Sequence, residues 1–360
     1  MLHIENKRFD VARGLAALVV FVAHVSQVFI WRFLQPQSWL ELVSGTAARA
    51  AVLVFFLLSG LLITRSIATN IKRNGFFEPF DYLLNRIARL YPPFIAALAL
   101  AVLVVWIVIR FNLPGAHSPL GTLRPDGLTY SYPELVKSLF LIDGMTVADG
   151  PLWTLYIEAK MYVIAMGAAM IFRGSSISSR IMGLTLAGAA VWLGLDLYKF
   201  WFFAMTWVLG ALANIPALNR PAVFLTVAIV AILLGYSYPS TYIDYLDNKV
   251  GLAVQAAFCA VAAYTLLLKS WAEFKFPNWL QDTGKYSYTL YVAHFPLLAL
   301  GLSTSLMIDE QSMASAILFA TISAAATLAI VFFSAKWLED VPRYKRLLES
   351  VFLRFKAVNA

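Results

Sequence analysis

Long runs of apolar residues, separated by short polar segments, make up most of the chain. Each run is close to the roughly 20 residues that an α-helix needs to cross the hydrocarbon core of a bilayer. We predict such spans near residues 9–31, 47–67, 92–110, 151–172, 180–196, 200–215, 222–238, 250–268, 286–306 and 314–337. Pro92, Pro93 and Pro151 suit the first turns of two of these helices. The pattern therefore predicts an all-α fold, a polytopic membrane helix bundle of about ten transmembrane helices.

Composition excludes a water-soluble domain. Of the 360 residues, 61% are hydrophobic and 13% are charged, where soluble domains carry about 25% charged residues. The single cysteine, Cys259, lies within an apolar run, so we expect it to contribute to packing and we expect no disulfide framework. The net charge of +8 is spread over short loops, which argues against a nucleic-acid partner.

The basic residues predict the orientation. Most of the 28 lysines and arginines fall in the loops on the same side as the amino terminus, which places both termini in the cytoplasm. We expect residues 1–345 to form one integral membrane domain without an appended hydrolase-like domain, and residues 346–360 to form a basic cytoplasmic tail. The first apolar run is too long for the core of a cleavable signal peptide. The long external connection, 111–150, is a candidate functional loop, and its patch 135–142 is apolar enough to dip back toward the membrane.

The first predicted span carries three ionisable side chains on one face. At 100° per residue, Arg13 lies about 60° and His24 about 40° from Asp10 around the helix. A charge at the bilayer centre costs about 2.5 to 3.5 kcal/mol on insertion scales, so we expect these side chains to line a protected interior site. The neutral imidazole of His24 can accept a proton, as a general base must. The alternatives are Asp10 and Arg13 as interfacial anchors and His24 as a hydrogen-bonded packing residue.

Two later spans also carry polar groups. In the fourth span, Glu158 and Thr154 lie four residues apart on nearly the same face. Lys160 lies about 200° around the helix from Glu158, which leaves open whether it pairs with another helix or whether the boundaries are misplaced. In the ninth span, His294 either coordinates substrate or bonds Tyr291 or a neighbouring helix.

Arg86 and Arg89 form a basic pair at the predicted cytoplasmic face. On a helical turn their guanidinium groups point the same way, an arrangement that suits a phosphate or pyrophosphate. The alternative is a topological role beside anionic lipid. Two separated membrane histidines without adjacent thiolate or carboxylate ligands make a metal site improbable, and we predict no metal.

Six motifs follow one another in a recognisable order. They are Phe9-Asp-Val-Ala-Arg-Gly-Leu-Ala-Ala-Leu with His24, Phe55-Phe-Leu-Leu-Ser-Gly-Leu-Leu-Ile-Thr64, Arg86-Ile-Ala-Arg-Leu-Tyr-Pro-Pro, Leu152-Trp-Thr-Leu-Tyr-Ile-Glu158, Ser287-Tyr-Thr-Leu-Tyr-Val-Ala-His-Phe-Pro and Glu339-Asp-Val-Pro. From residue 9 to residue 342 the chain resembles the acyltransferase 3 family of membrane O-acyltransferases. The resemblance implies transfer of an acyl group, most often acetyl, from cytoplasmic acyl-CoA to a sugar hydroxyl of an exported or cell-surface glycan or lipid-linked sugar. It also implies a multi-pass protein of the bacterial inner membrane.

The same resemblance assigns roles to single residues. The family's functional residues fall on Arg13, His24, Arg86, Arg89, Glu158 and His294. From the resemblance and the positions of the polar residues together, we expect His24, Glu158 and Arg13 to be catalytic and Arg86, Arg89 and Asp10 to bind the acyl-CoA donor. We expect Ser59, Trp153, Thr154 and His294 to contact substrate. One departure concerns the wall beside Glu158. The family often has an aromatic residue three positions after this glutamate, whereas here Met161 stands in that place, before Tyr162. The rival class is a transporter or flippase for a polar lipid or glycan, in which buried charges form a substrate path.

Overall fold

The computed structural model describes residues 2–36, 38–121, 123–194, 198–214, 276–308 and 312–358. Within these ranges the regular structure is helical, with no strand. The helices are α1 Leu2–Phe29, α2 Trp39–Asn74, α3 Pro79–Arg110, α4 Tyr132–Leu139, α5 Leu152–Arg173, α6 Ile177–Trp192, α7 Tyr198–Leu212, α8 Asn278–Lys285, α9 Ser287–Ile308, α10 Met313–Leu338 and α11 Val341–Val358, and a short 3₁₀ helix, Trp31–Phe33, follows α1. The all-α prediction is confirmed.

Six of these helices are long and apolar enough to cross a membrane: α1, α2, α3, α5, α9 and α10. Helices α6 and α7 contain shorter apolar segments. The spans predicted at 222–238 and 250–268, together with Cys259, lie outside the described residues, so the predicted count of about ten is not confirmed. Helix α10 exposes large apolar side chains, with Phe333 and Trp337 each 65% exposed. Such a surface is suited to lipid, and the chain is a membrane protein.

Two helices are longer than their apolar runs. Helix α2 has 36 residues and α3 has 32, so at 1.5 Å per residue they extend about 54 and 48 Å, beyond a hydrocarbon core of about 30 Å. The apolar stretches of the sequence therefore indicate only the part of each helix that lies in the bilayer, and not its full length. Pro92 and Pro93 lie inside α3, so the prediction that they begin a helix was wrong. By contrast, α5 begins directly after Pro151, as predicted.

The described helices have local reasons to begin where they do. Ser131 and Glu134 form a reciprocal capping box at the start of α4, and Pro133 occupies its first turn, where its missing N–H costs nothing. Ser176 and Ser312 cap α6 and α10 with side-chain oxygens. Within the loop predicted to dip toward the membrane, α4 covers most of the patch 135–142.

The chain divides into two compact units. The first contains Met1–Val20, Leu42–Pro79 and Ile157–Gly284, and the second contains Phe21–Glu41, Phe80–Tyr156 and Lys285–Ala360. In the first unit, α2 and α7 pack closely through glycines: a Cβ atom at Gly60 would lie 1.9 Å from the carbonyl oxygen of Trp207, and one at Gly210 would lie 2.0 Å from that of Leu57. In the second unit, α9 packs against α10. The boundary predicted at residue 345 falls within α11, and the division into domain and tail stays a prediction.

Candidate active site

Two histidines from different helices meet in the second unit. Nδ1 of His24, in α1, lies 3.0 Å from Nε2 of His294, in α9, and the ring centroids are 5.0 Å apart. His294 is 1% exposed, whereas His24 is only partly buried. His24 is therefore the more accessible member of the pair.

A backbone carbonyl fixes the protons of this histidine pair. Nδ1 of His294 lies 2.8 Å from the carbonyl oxygen of Leu290, and because a carbonyl only accepts, this nitrogen must carry a hydrogen. In the neutral ring the lone pair then lies on Nε2, which accepts a hydrogen from Nδ1 of His24. The neutral His24 ring consequently has its own lone pair on Nε2. The bonds thus prepare Nε2 of His24 to take a proton.

Aromatic rings pack edge-on against the pair. Phe21 approaches His294 with ring centroids 5.9 Å apart and planes at 88°, and Phe295 approaches His24 at 5.8 Å and 84°. Such edge-to-face contacts are favourable and directional. They restrict rotation of both imidazoles.

Thr154 and Tyr291 join α5 to α9 beside His294. The hydroxyl of Thr154 donates to the carbonyl of Pro151 at 2.9 Å, so Tyr291 donates to Thr154 across their 2.7 Å contact. Tyr291 also packs against His294, with ring centroids 6.3 Å apart. Of the alternatives for His294, the structure shows the bond to a neighbouring helix, and Tyr291 contributes a ring contact.

Arg124 holds the loop between α3 and α5 through hydrogen bonds to backbone carbonyls. Arg124 donates to the carbonyls of Val147 at 2.7 Å, Leu123 at 3.0 Å and Thr146 at 3.2 Å. Its guanidinium carbon lies 4.8 Å from the ring centroid of Phe295, a cation–π arrangement. Arg124 with these three carbonyls and Phe295 is called here the Arg124 latch. It connects the loop to Phe295, the ring that packs on His24.

Asp149 lies at the end of the same loop, directly before Gly150. It is fully buried, and neither carboxyl oxygen has a hydrogen-bond partner among the described residues. Burial raises the pKa of Asp149 well above its usual value, and the charge of Arg124 opposes this shift. Burial also lowers the pKa of Arg124. A side chain at Gly150 would lie 3.1 Å from Nη2 of Arg124, so the loop end packs tightly on the latch.

In the first unit, four polar side chains form a chain of hydrogen bonds across α2, α5 and α7. Trp207 donates through Nε1 to the Ser59 hydroxyl at 3.2 Å, and Ser59 donates to the Tyr162 hydroxyl at 3.5 Å. Tyr162 donates to the carboxylate of Glu158. Two predicted site residues, Ser59 and Glu158, are thereby connected through Tyr162.

Sequence reasoning missed Tyr162 and Trp207. The available signal was the spacing of Tyr162, which lies four residues after Glu158 and so on the same helical face. The aromatic ring that Met161 fails to supply at the third position is present at the fourth. The predicted catalytic role of Glu158 stays a prediction.

The remaining polar residues of the first unit are also placed within helices. Arg13 and Asp10 form an ion pair one turn apart in α1, with side chains 19% and 25% exposed. Lys160 is 5% exposed within α5, whose bounds match the predicted span, so misplaced boundaries do not explain it. The roles predicted for Arg13 and Asp10 in catalysis and donor binding stay predictions.

Arg86 and Arg89 lie three residues apart in α3, in the second unit. Both are partly buried, and the guanidinium of Arg86 lies 5.8 Å from the ring centroid of Tyr82. Trp153, partly buried, is the second residue of α5. Among the residues that the structure describes, no group of three or more His, Cys, Asp or Glu side chains could hold a metal ion.

A helical membrane fold that brings two histidines into hydrogen-bond contact can place a proton acceptor within a membrane-embedded enzyme. The chain belongs to the acyltransferase family, whose acyltransferase domain model matches residues 6–336. It is an acyltransferase, and this match favours an enzyme over the transporter or flippase considered from the sequence.

The relatives agree with this class. The chain is 23% identical over 314 residues to an O-acetyl transferase of Shigella phage Sf6, covering 84% of this chain and 87% of that protein. It is 24% identical over 393 residues to the peptidoglycan O-acetyltransferase OatA of Listeria monocytogenes, covering 97% of this chain and 57% of that protein. An uncharacterized protein of Haemophilus influenzae is 29% identical over 111 residues, which are 31% of this chain and 45% of that protein. No solved structure matches the chain.

Proposed function

We propose that this protein is a membrane O-acetyltransferase that moves an acetyl group from cytoplasmic acyl-CoA to a sugar hydroxyl of an exported or cell-surface glycan or lipid-linked sugar. The observation that carries the proposal is the bond between His24 and His294, with the second histidine held by the Leu290 carbonyl. That arrangement supplies a general base within a protein of the acyltransferase family. The O-acetyl transferases among its relatives support acetyl as the group transferred.

The chemistry follows from the proton positions. Nε2 of His24 takes the proton of the acceptor hydroxyl while the oxygen attacks the thioester carbonyl of the donor. The tetrahedral intermediate then breaks its carbon–sulfur bond, and the departing sulfur receives the proton from His24, which leaves an O-acyl sugar and free CoA. His294 accepts a hydrogen bond from Nδ1 of His24 throughout and stabilises the imidazolium. Direct transfer needs no acyl-enzyme, although an acyl-histidine or acyl-serine route would use the same base.

The phosphates of the acyl-CoA donor need cationic side chains to bind them. Arg86 and Arg89 fit this need because their guanidinium groups are three residues apart on α3 and can form forked bonds with phosphate oxygens. We propose that they face the cytoplasm, with both chain termini on that side of a bacterial inner membrane, because most of the basic loop residues lie there. Asp10 and Arg13 are proposed to line the donor path. Ser59, Trp153 and Thr154 are proposed to contact substrate, and Glu158 is proposed to orient the acceptor sugar.

Purified protein in lipid nanodiscs tests the proposal. Labelled acetyl-CoA and a hydroxyl-rich acceptor glycan are supplied, and label in the glycan and release of free CoA are measured together. Wild-type protein is expected to form both products in equal amounts. His24→Ala is expected to lower the transfer rate by a factor of at least about 10², because a positioned general base contributes about 10² to 10⁴ in rate.

Gln27→Ala is the matched control, since Gln27 also lies partly buried in α1 of the second unit. It should insert and turn over like wild type. Undiminished transfer by the His24 variant would remove the base assignment. Glycan labelling that ignores acetyl-CoA would remove the proposed donor.

A further inference from the structure

A polar cleft of about 710 Å³ opens in the second unit beyond the carboxyl-terminal part of α9. Its polar lining comes from Arg32 in the 3₁₀ helix after α1 and from Asn112, His117 and Ser118 in the loop after α3. Leu306, near the end of α9, also lines the cleft. The volume falls within the range of about 300 to 1,000 Å³ found for small-molecule sites.

The cleft lies on the same helix as the histidine pair. Leu306 follows His294 by twelve residues in α9, which is about 18 Å at the α-helical rise. The loop after α3, which also lines the cleft, is attached to α9, because the Ser303 hydroxyl donates to the carbonyl of Pro114 at 2.5 Å. The cleft therefore has a fixed position at some distance from the reacting atoms.

The lining has the chemistry of an anion site. Among the described residues that line the cleft, Arg32 is the one with a permanent charge, and none carries a carboxylate. Asn112, His117 and Ser118 can add hydrogen-bond donors beside the guanidinium of Arg32. The guanidinium fork matches the paired oxygens of a carboxylate or phosphate. The guanidinium carbon of Arg32 also lies 4.7 Å from the ring centroid of Phe33, which holds it near the wall.

We infer that this cleft binds a carboxylate or phosphate group carried by the acceptor glycan, about 18 Å along α9 from His294. The inference rests on the proposed function, since it takes the cleft to open on the side from which the acceptor arrives. It narrows the acceptor to acidic glycans, recognised by a charged group remote from the reaction. Binding energy from such a remote group can position the reacting hydroxyl.

Equilibrium binding to protein in phosphatidylcholine nanodiscs tests the inference without requiring turnover. The probes are labelled trigalacturonate, its carboxyl-reduced counterpart and phosphorylated maltotriose. Wild type is expected to bind one or both charged probes at least tenfold more tightly than the reduced trisaccharide. Arg32→Gln should lose that preference, and Arg32→Lys should keep part of it because the charge remains while the fork is lost.

Arg110→Gln is the matched control: Arg110 is an exposed arginine at the end of α3 and does not line the cleft. It should bind like wild type. Equal affinity for charged and reduced probes, or equal losses in the Arg32 and Arg110 variants, would overturn the inference. Loss of the wild-type preference for charged probes in phosphatidylglycerol nanodiscs, at a salt concentration that screens the bilayer charge, would assign the cleft to lipid headgroups and also overturn the inference.

The transfer assay separates the two proposals. If the Arg32-dependent preference is found but label never reaches any glycan from acetyl-CoA, the proposed function fails and the anion site stands. If transfer proceeds equally well to charged and neutral acceptors in wild type and in Arg32→Gln, the proposed function stands and the anion site fails. A folded Arg32 variant is recognised by a thermal denaturation midpoint in nanodiscs equal to that of wild type.

Discussion

Replacing His294 tests whether this residue acts through His24 or by touching substrate. His294→Gln places an amide oxygen where Nε2 stood, so the hydrogen-bond acceptor for Nδ1 of His24 is kept. His294→Phe keeps a planar ring and removes the acceptor. If His294 works by holding His24, the glutamine variant should stay active and the phenylalanine variant should not.

The size of the effect follows from the bond between the rings. At 3.0 Å this bond is neutral before proton transfer and becomes charge-assisted when His24 is protonated. A neutral hydrogen bond contributes about 0.5 to 1.5 kcal/mol and one to a charged group about 1.5 to 3. The gain on reaching the transition state is therefore about 1 to 2 kcal/mol, which is roughly 5- to 30-fold in kcat at 1.36 kcal/mol per factor of ten.

The assay is steady-state release of CoA at saturating acceptor, with KM for acetyl-CoA measured alongside. We expect His294→Phe to lower kcat by that factor with KM for the donor unchanged, and His294→Gln to stay within a few-fold of wild type. Thr304→Val is the control in the same helix, because the Thr304 hydroxyl donates only to carbonyls of its own helix, those of Leu300 and Gly301. The reasoning is refuted if both His294 variants lose the same activity, or if the phenylalanine variant retains it.

Further outcomes are expected elsewhere. Arg86→Ala combined with Arg89→Ala should raise the apparent Kd for acetyl-CoA at least tenfold, since two charge-assisted contacts are lost. Equilibrium dialysis measures this affinity. An unchanged Kd would exclude the two arginines as phosphate ligands. Burial raises the pKa of Asp149 well above 3.8, so the folded state holds a proton that the unfolded chain releases and stability should fall as pH rises above about 4. Asp149→Asn should flatten this dependence between pH 5 and pH 8 in thermal denaturation, and parallel curves for the two proteins would contradict it. Gly60→Ala should lower the denaturation midpoint, because its methyl group would lie 1.9 Å from a backbone oxygen. Gly188→Ala is the control: a Cβ atom there has nothing within 4 Å, so the midpoint should be unchanged or slightly raised. Equal midpoints for the two variants would show that α2 and α7 can separate without cost.

Hydrophobic runs predicted most of the described fold because lipid demands apolar helices of a set length. The predicted bounds of α5 and α10 lie within a residue or two of the observed ones. The prediction was poorer where helices leave the bilayer. Polar residues such as Asp81 and Asn85 continue α3 toward its start, and Pro92 and Pro93 do not end it, because packing can offset the lost amide hydrogens. The Tyr288 hydroxyl from α9 donates to the nearby carbonyl of Leu90.

The candidate site was predictable in its members but not in its connections. Burial cost in lipid singles out His24 and His294 as individual anomalies, yet no spacing along the chain indicates that residues 270 positions apart share a hydrogen bond. Arg124 and Asp149 lay in a loop where charged residues are ordinary, so nothing marked them before the fold placed one against Phe295 and buried the other. Tertiary packing supplied both pieces of information.

The Arg124 latch has a consequence for how the loop can vary. Its three described hydrogen bonds end on main-chain oxygens, which every residue type provides, so the loop's hold on Phe295, and through it on His24, does not depend on the side chains at 123, 146 and 147. The side chains at these three positions can therefore be exchanged while Arg124 keeps its hydrogen bonds and its contact with Phe295. Sequence variation at this end of the loop is thereby separated from the packing of Phe295 on His24.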